Sequence, residues 1–170
     1  MDGSLKNIGM KGGMMMKPFD KILFPVDISD TSPNIAPWVI LMAERFDSEI
    51  HLLFVARELG QYATFSVIPG AIEQFETKLL KGAEIKIEEF AEVHFKDDPS
   101  VRTRVALGNP AQKILDYIGD EEIDLVIMGT HGRRGFDRIF FGSVADRVVK
   151  MSPVPVLTIN PYGAQKDGER

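Results

Sequence analysis

With 170 residues, 44% of them hydrophobic and 26% charged, the chain has enough apolar surface for one domain with a proper core and needs no second. Its formal net charge of −5 argues against a general nucleic-acid binder, and the absence of cysteine excludes disulfides, thiolate chemistry and cysteine-ligated zinc. No apolar run reaches the roughly 18–20 residues that a membrane helix needs, and nothing points to secretion, so a soluble, cytoplasmic protein is expected.

Residues 1–17 are rich in glycine and methionine and lack the continuous apolar stretch of a signal peptide. They are expected to form a disordered extension, with Met10 and Met14 to Met16 as later alternative starts. The folded domain is expected over residues 18–162, and its first strand runs from Lys21 to Val26, ending at Asp27. Helix signals follow from Ser29 to Phe46, with Asp30, Thr31 and Ser32 as candidate caps and an apolar series at Ile35, Val39, Met42 and Phe46. Pro37 either kinks that helix or delays its start. Glu49 to Val55 reads as the second strand, and Ala56 to Pro69 as a loop of the unusual length that often borders a site.

The longest helix is expected from about residue 70 to 95, with Ile72, Phe75, Leu79, Ala83, Ile87 and Phe90 forming one core-facing stripe. Val101 to Leu107 is the third strand, Gly108-Asn109-Pro110 opens a short helix to Ile118, and Asp124 to Met128 is the fourth strand. A helix from Ser143 to Met151 and a last strand from Val154 to Ile159 complete the set, before a polar and flexible tail over residues 163–170. Alternating strands and helices predict an α/β fold, a parallel sheet with right-handed crossovers and helices on both faces. Asp27 and Gly129 then end strands at the same edge, where ligands of such sheets bind if the two strands are neighbours at the point where strand order reverses.

The most informative stretch is Met128-Gly129-Thr130-His131-Gly132, followed after nine residues by Gly142-Ser143-Val144. Glycines at a strand end let backbone N–H groups approach an anion, and a helix that starts beside them adds partial positive charge. Ser143 is placed either to cap that helix or to reach a phosphate oxygen, while Arg133, Arg134 and Arg138 add fixed cations. Glycines of this spacing also serve plain turns, so the pattern gains its meaning from the rest of the chain.

From Lys17 to Tyr162 the sequence resembles the universal stress protein family. The resemblance rests on Lys21-Ile-Leu-Phe-Pro-Val-Asp27, on Gly108-Asn109-Pro110, on the G-2x-G-9x-G-[ST] pattern at Gly129, Gly132, Gly142 and Ser143, and on Pro153-Val-Pro-Val-Leu-Thr158. It implies an open five-stranded parallel sheet in the order 3-2-1-4-5, Rossmann-like in the manner of the adenine nucleotide alpha hydrolases, and ATP binding in the subset that keeps the full glycine pattern, as this chain does. By that resemblance Asp27 contacts the ribose or adenine side with Pro25 and Val26 beside it, and Val55 meets the base through its backbone. Met128, Gly129, His131, Gly132, Gly142, Ser143 and Val144 surround the ribose and phosphates; Arg133, which departs from the family pattern along with Arg134 and Arg138, is expected beside them as a fixed cation. It also implies a homodimer through Val154 to Ile159, an apolar edge that would otherwise be an aggregation liability.

Plainer readings exist for several of these residues. Asp27 can cap the turn that follows it, His131 can be an exposed loop histidine, and His51 and His94 read as structural. Asp97-Asp98 and Glu121-Glu122 read as solvated loop charges. GxxxxGK[ST], GxSxG and HExxH signatures are all absent, Lys150-Met151-Ser152 lacks any companion motif, and nothing orients His131 as a base for Ser143. The leading expectation is an ATP-binding stress-response switch without dedicated catalysis, its Mg²⁺ or Mn²⁺ held mainly by the phosphates. A slow ATP hydrolase or self-phosphorylating protein using Thr130 or Ser143, and a nucleotide-free dimeric interaction module, stand as alternatives.

Overall fold

The computed structural model describes residues 19–57, 71–96, 98–130 and 142–162. Strands β1 (Lys21–Pro25), β2 (Glu49–Ala56), β3 (Val101–Leu107), β4 (Leu125–Gly129) and β5 (Val156–Ile159) form one sheet in the order 3-2-1-4-5. Every neighbouring pair is parallel. The connecting helices are α1 (Ala36–Phe46), α2 (Ala71–Phe95), α3 (Pro110–Asp120) and α4 (Ser143–Met151).

Successive side chains of a strand face opposite ways, so the apolar runs of β1, β2 and β4 feed two separate cores. On one face Ile22, Phe24, Ile50, Leu52 and Ile127 pack against Val39 and Ala43 of α1 and Ile87 and Phe90 of α2. On the other, Leu23, Leu53, Val126 and Met128 pack against Ile114 and Ile118 of α3 and Ala145 and Val148 of α4. Burial on both faces is why these central strands read as continuous hydrophobic runs rather than alternating ones. Each fully buried aliphatic or aromatic side chain contributes about 1.5–3 kcal/mol.

Pro37 delays a helix rather than kinking one. A single 3-10 turn, Ser32–Asn34, comes first, and α1 then begins at Ala36 with Pro37 in its first turn, where a missing N–H is not needed for an intrahelical bond. None of the expected caps serves: Thr31 precedes the 3-10 turn and Ile35 precedes α1, both without a side-chain capping bond. Asn109 does cap α3, accepting from the Gln112 N–H at 3.2 Å with Pro110 at the first helical position. Gly108, at φ 142°, takes a conformation that a side chain would strain, so Gly-Asn-Pro works as a strand-to-helix hinge.

The stripe on α2 is core only in part. Ala83, Ile87 and Phe90 are buried, Leu79 is half-buried, and Phe75 is 53% exposed. A helix of 25 residues is about 37 Å long, whereas the eight residues of β2 span only about 26 Å, so the first turns have less sheet to cover. The last strand starts at Val156 rather than Val154, because Ser152 and Val154 form a tight turn through the Ser152 hydroxyl. The side chain of Ile72, the expected terminal segments 1–17 and 163–170, and most of the long loop lie outside the described residues. Among the described residues no helix is long and apolar enough to cross a membrane.

Candidate functional site

β1 is the pivot of the sheet. It pairs with β2 on one side and with β4 on the other, through Ile22↔Leu125 and Leu23↔Val126, so the chain winds in opposite directions from this pair. Continuing that register sets Val26 beside Gly129 at the carboxyl edge, the place where sheets of this topology bind their ligands. Val26 is buried and its N–H donates to Leu53 O at 2.9 Å. Pro25 pairs with Leu53, which puts Val55 level with Asp27 one strand over.

Asp27 stands where the chain leaves β1. Its Oδ1 accepts from the Ser29 N–H at 3.1 Å, from Ser29 Oγ at 2.6 Å and from Ser32 Oγ at 2.8 Å. Thr31 Oγ1 lies 2.9 Å from Ser29 Oγ and, since the Ser29 proton goes to Asp27, acts as the donor of that pair. The turn reading of Asp27 is therefore real, and the carboxylate is held in one orientation as a result. Between Asp27 and Ser29, Ile28 has φ 53°, a left-handed conformation that a β-branched residue rarely adopts. Such strain costs about 1–3 kcal/mol and persists only where surrounding structure imposes it.

The opposite arm follows β4. Met128 is buried and Gly129 half-buried, and the Thr130 N–H donates to Ile159 O at 2.9 Å, anchoring the exit of β4 to β5. Gly142 N–H returns to Thr130 O at 2.8 Å, so both ends of the glycine pattern meet. Gly142, not Ser143, occupies the N-cap position of α4, so the N-cap residue supplies no side-chain bond to this helix. A Cβ on Gly142 would touch Thr130 O at 3.4 Å, an ordinary contact, so the fold itself would accept a small side chain there. Ser143 is exposed at the first helical position and Val144 half-buried behind it, where the α4 N–H groups and dipole favour an anion.

The structure thus brings Pro25, Val26, Asp27 and Val55 to one side of the crevice and Met128, Gly129, Gly142, Ser143 and Val144 to the other. His131, Gly132 and Arg133, with Arg134 and Arg138, lie outside the described residues. Sequence reasoning missed Ser29 and Ser32 as partners of Asp27, treating Ser32 only as a helix cap. The signal was the placing of two hydroxyl residues two and five positions beyond an aspartate at a strand end.

A second polar cluster lies at the amino end of the sheet. His51, 1% exposed, has Nδ1 2.9 Å from the Tyr117 hydroxyl, and its Nε2 lies 2.9 Å from Glu49 Oε1 but off the hydrogen-bonding direction. Glu49 also pairs with Arg102 of β3. Burial holds the His51 imidazole below its ordinary pKa even though Glu49 pulls it up, and burial, helped by Glu121, pushes the Tyr117 hydroxyl up to about 12. His94 lays its ring 4.5 Å from Phe90. His51 lies towards the amino end of β2, away from the carboxyl edge, and His94 in the last turn of α2, and among the described residues no three His, Asp or Glu side chains are grouped to hold a metal.

The pattern that defines the Universal stress protein family matches residues 18–160. A universal stress protein of Methanocaldococcus jannaschii, MJ0577, is 32% identical over 157 residues, which cover 83% of this chain and 94% of that one. The solved structure of MJ0577 superposes with a TM-score of 0.69 at 26% identity, covering 85% of this chain and 97% of that one. UspA from Lactobacillus plantarum gives the same TM-score, 0.69, at 24% identity over 85% of this chain and all of its own. At the level of fold alone the chain is also similar to a universal stress protein solved with cAMP (TM-score 0.52, 15% identity, 85% and 99% covered) and to one from Archaeoglobus fulgidus solved with dAMP (0.53, 18%, 86% and 100%).

Proposed function

The chain belongs to the universal stress protein family, and from that premise we propose that it binds ATP at the carboxyl edge of its sheet and works as a nucleotide-dependent switch in stress response, without dedicated catalysis. The observation that carries this reading is the pairing, across the point where strand order reverses, of a fixed carboxylate at Asp27 with a glycine-capped helix start at Gly142. The carboxylate suits hydroxyl or amino donors of a nucleoside, and the α4 amides suit phosphate. In this pose the backbone of Val55 meets the base, Pro25, Val26, Met128 and Gly129 floor the crevice, and Gly142, Ser143 and Val144 surround the phosphates. His131 and Gly132 join them on the family resemblance, and Arg133 as a fixed cation favouring the phosphates.

The cAMP and dAMP complexes of related folds support the adenine nucleotide class. Mg²⁺ or Mn²⁺ would be carried in by the phosphates and water, as hard cations of this kind usually are. The partner is a second copy through β5, whose half-buried Val156, Leu157 and Ile159 form an apolar edge of the described sheet, and the setting is cytoplasmic.

The test is a calorimetric titration of nucleotide-stripped protein with ATP and Mg²⁺, with ADP followed in the same sample over hours. Saturable binding without turnover is the expected result. Steady ADP release, or phosphate appearing on Thr130 or Ser143, would replace the switch by the slow hydrolase or self-phosphorylating protein. Absence of binding would leave a nucleotide-free interaction module.

A further inference from the structure

We propose that Ser32, together with Ser29, is a positioning residue for nucleotide recognition: the two hydroxyls orient the Asp27 carboxylate towards the nucleoside half of the ligand. This rests on the proposed binding of ATP in the crevice. A turn of the Asp-x-Ser kind needs only the bond from the Ser29 N–H to Oδ1, at 3.1 Å. Two further donors, Ser29 Oγ at 2.6 Å and Ser32 Oγ at 2.8 Å, converge on the same oxygen and exceed what the turn requires. Three donors on Oδ1 restrict the rotation of the carboxyl group.

Ser32 is well placed for this work. It is 2% exposed, so its bond to a carboxylate oxygen is desolvated and charge-assisted, the stronger kind of hydrogen bond. Its backbone is held on both sides, by Ser32 N–H to Ser29 O and by Ile35 N–H to Ser32 O, each at 3.1 Å. The side chain of the neighbouring Asn34 donates to Pro161 O at 3.0 Å, tying the turn to the chain beyond β5. The left-handed Ile28 is the conformational cost of aiming Asp27 this way. A carboxylate immobilised before binding loses no side-chain freedom when the ligand arrives, which is how preorganisation raises affinity.

The experiment is a double-mutant cycle in the full chain, read by binding of ATP and, separately, of inorganic tripolyphosphate, which lacks the nucleoside. Ser32→Ala and Ser29→Ala should each weaken ATP about tenfold, leave tripolyphosphate unchanged, and have no further effect when Asp27→Ala is already present. Ser29 is half-buried, so Ser29→Ala keeps the test alive if Ser32→Ala melts early. If the serine variants bind ATP like the wild type while Asp27→Ala does not, the positioning role is overturned and the site stands. Equal loss of both ligands would show a collapsed crevice and also overturn it. A wild-type chain that ignores ATP would remove the proposed function and this inference together.

Discussion

At the amino end of the sheet Glu49, His51, Arg102 and Tyr117 partner one another, whereas at the carboxyl end Asp27, Ser29 and Ser32 hold a strained turn opposite a helix with glycine at its N-cap. Both clusters contain buried polar groups. At the amino end a half-exposed ion pair shields a histidine only 1% exposed, and the strands beneath are regular. At the carboxyl end a β-branched residue, Ile28, is left-handed and Gly142 stands at the helix cap, whereas the left-handed residues of the amino end, Asp47, Lys96 and Glu122, follow helix ends, where that conformation is usual. Polarity alone therefore does not mark a site. Polarity joined to a left-handed β-branched residue and to helix amides at the same sheet edge is the combination on which the proposed site rests.

Breaking the amino-end cluster should change stability and spare the ligand. His51→Ala leaves a cavity and strips a partner from Tyr117, and it should cost about 2–4 kcal/mol in chemical denaturation with ATP affinity unaltered. A matching fall in affinity would show that the two ends are not independent. Gly142→Val should strike the ligand more than the fold, weakening ATP at least tenfold, about 1.4 kcal/mol, while a valine N-cap costs the helix about 1 kcal/mol. Unaltered affinity would mean that the α4 start does not meet phosphate.

Titration sharpens the same contrast. His51 has a folded pKa below its ordinary 6.5, so the unfolded chain takes up protons first, and stability present above pH 6.5 should decline on acidification below it. Tyr117 is raised from 10.0 to about 12, so the unfolded chain ionises first and stability present below pH 10.0 should decline between there and about 12. In His51→Phe the acid limb should flatten, and an unchanged limb would assign it to other groups. The two edges of the sheet repeat the comparison more mildly. β3 guards its edge with exposed Arg102, Thr103 and Arg104, while Val156 to Ile159 of β5 carry no charge. Val156→Lys should shift the chain towards monomer in sedimentation, and an unchanged profile would remove the β5 dimer.

Much of the fold was legible in the residues. Apolar runs marked four of the strands, Val101 to Leu107 reads as the third despite its two arginines, Gly108-Asn109-Pro110 and Ser143 marked two helix starts, and the family resemblance supplied the strand order that the structure shows. The losses have physical causes. Periodicity records which face of α2 is apolar but not how far the sheet extends beneath it, so Phe75 was misplaced in the core. Serine near a helix start has several partners within reach, and its choice of Asp27 over a helix N–H depends on the left-handed Ile28, which local propensity disfavours. Pro37 was ambiguous for a similar reason, since a kinked and a delayed helix place it equally well until the 3-10 turn is seen. The site was legible as an edge with Asp27 and Gly129, but not as the hydroxyl network that steadies it.

Amide hydrogen exchange with and without saturating ATP and Mg²⁺ tests the central claim most directly, because it reports both ends of the sheet in one experiment. The account predicts slowed exchange at residues 27–32 and 143–145 and no change at 49–51. Protection confined to the amino end, or absent from both, would contradict it.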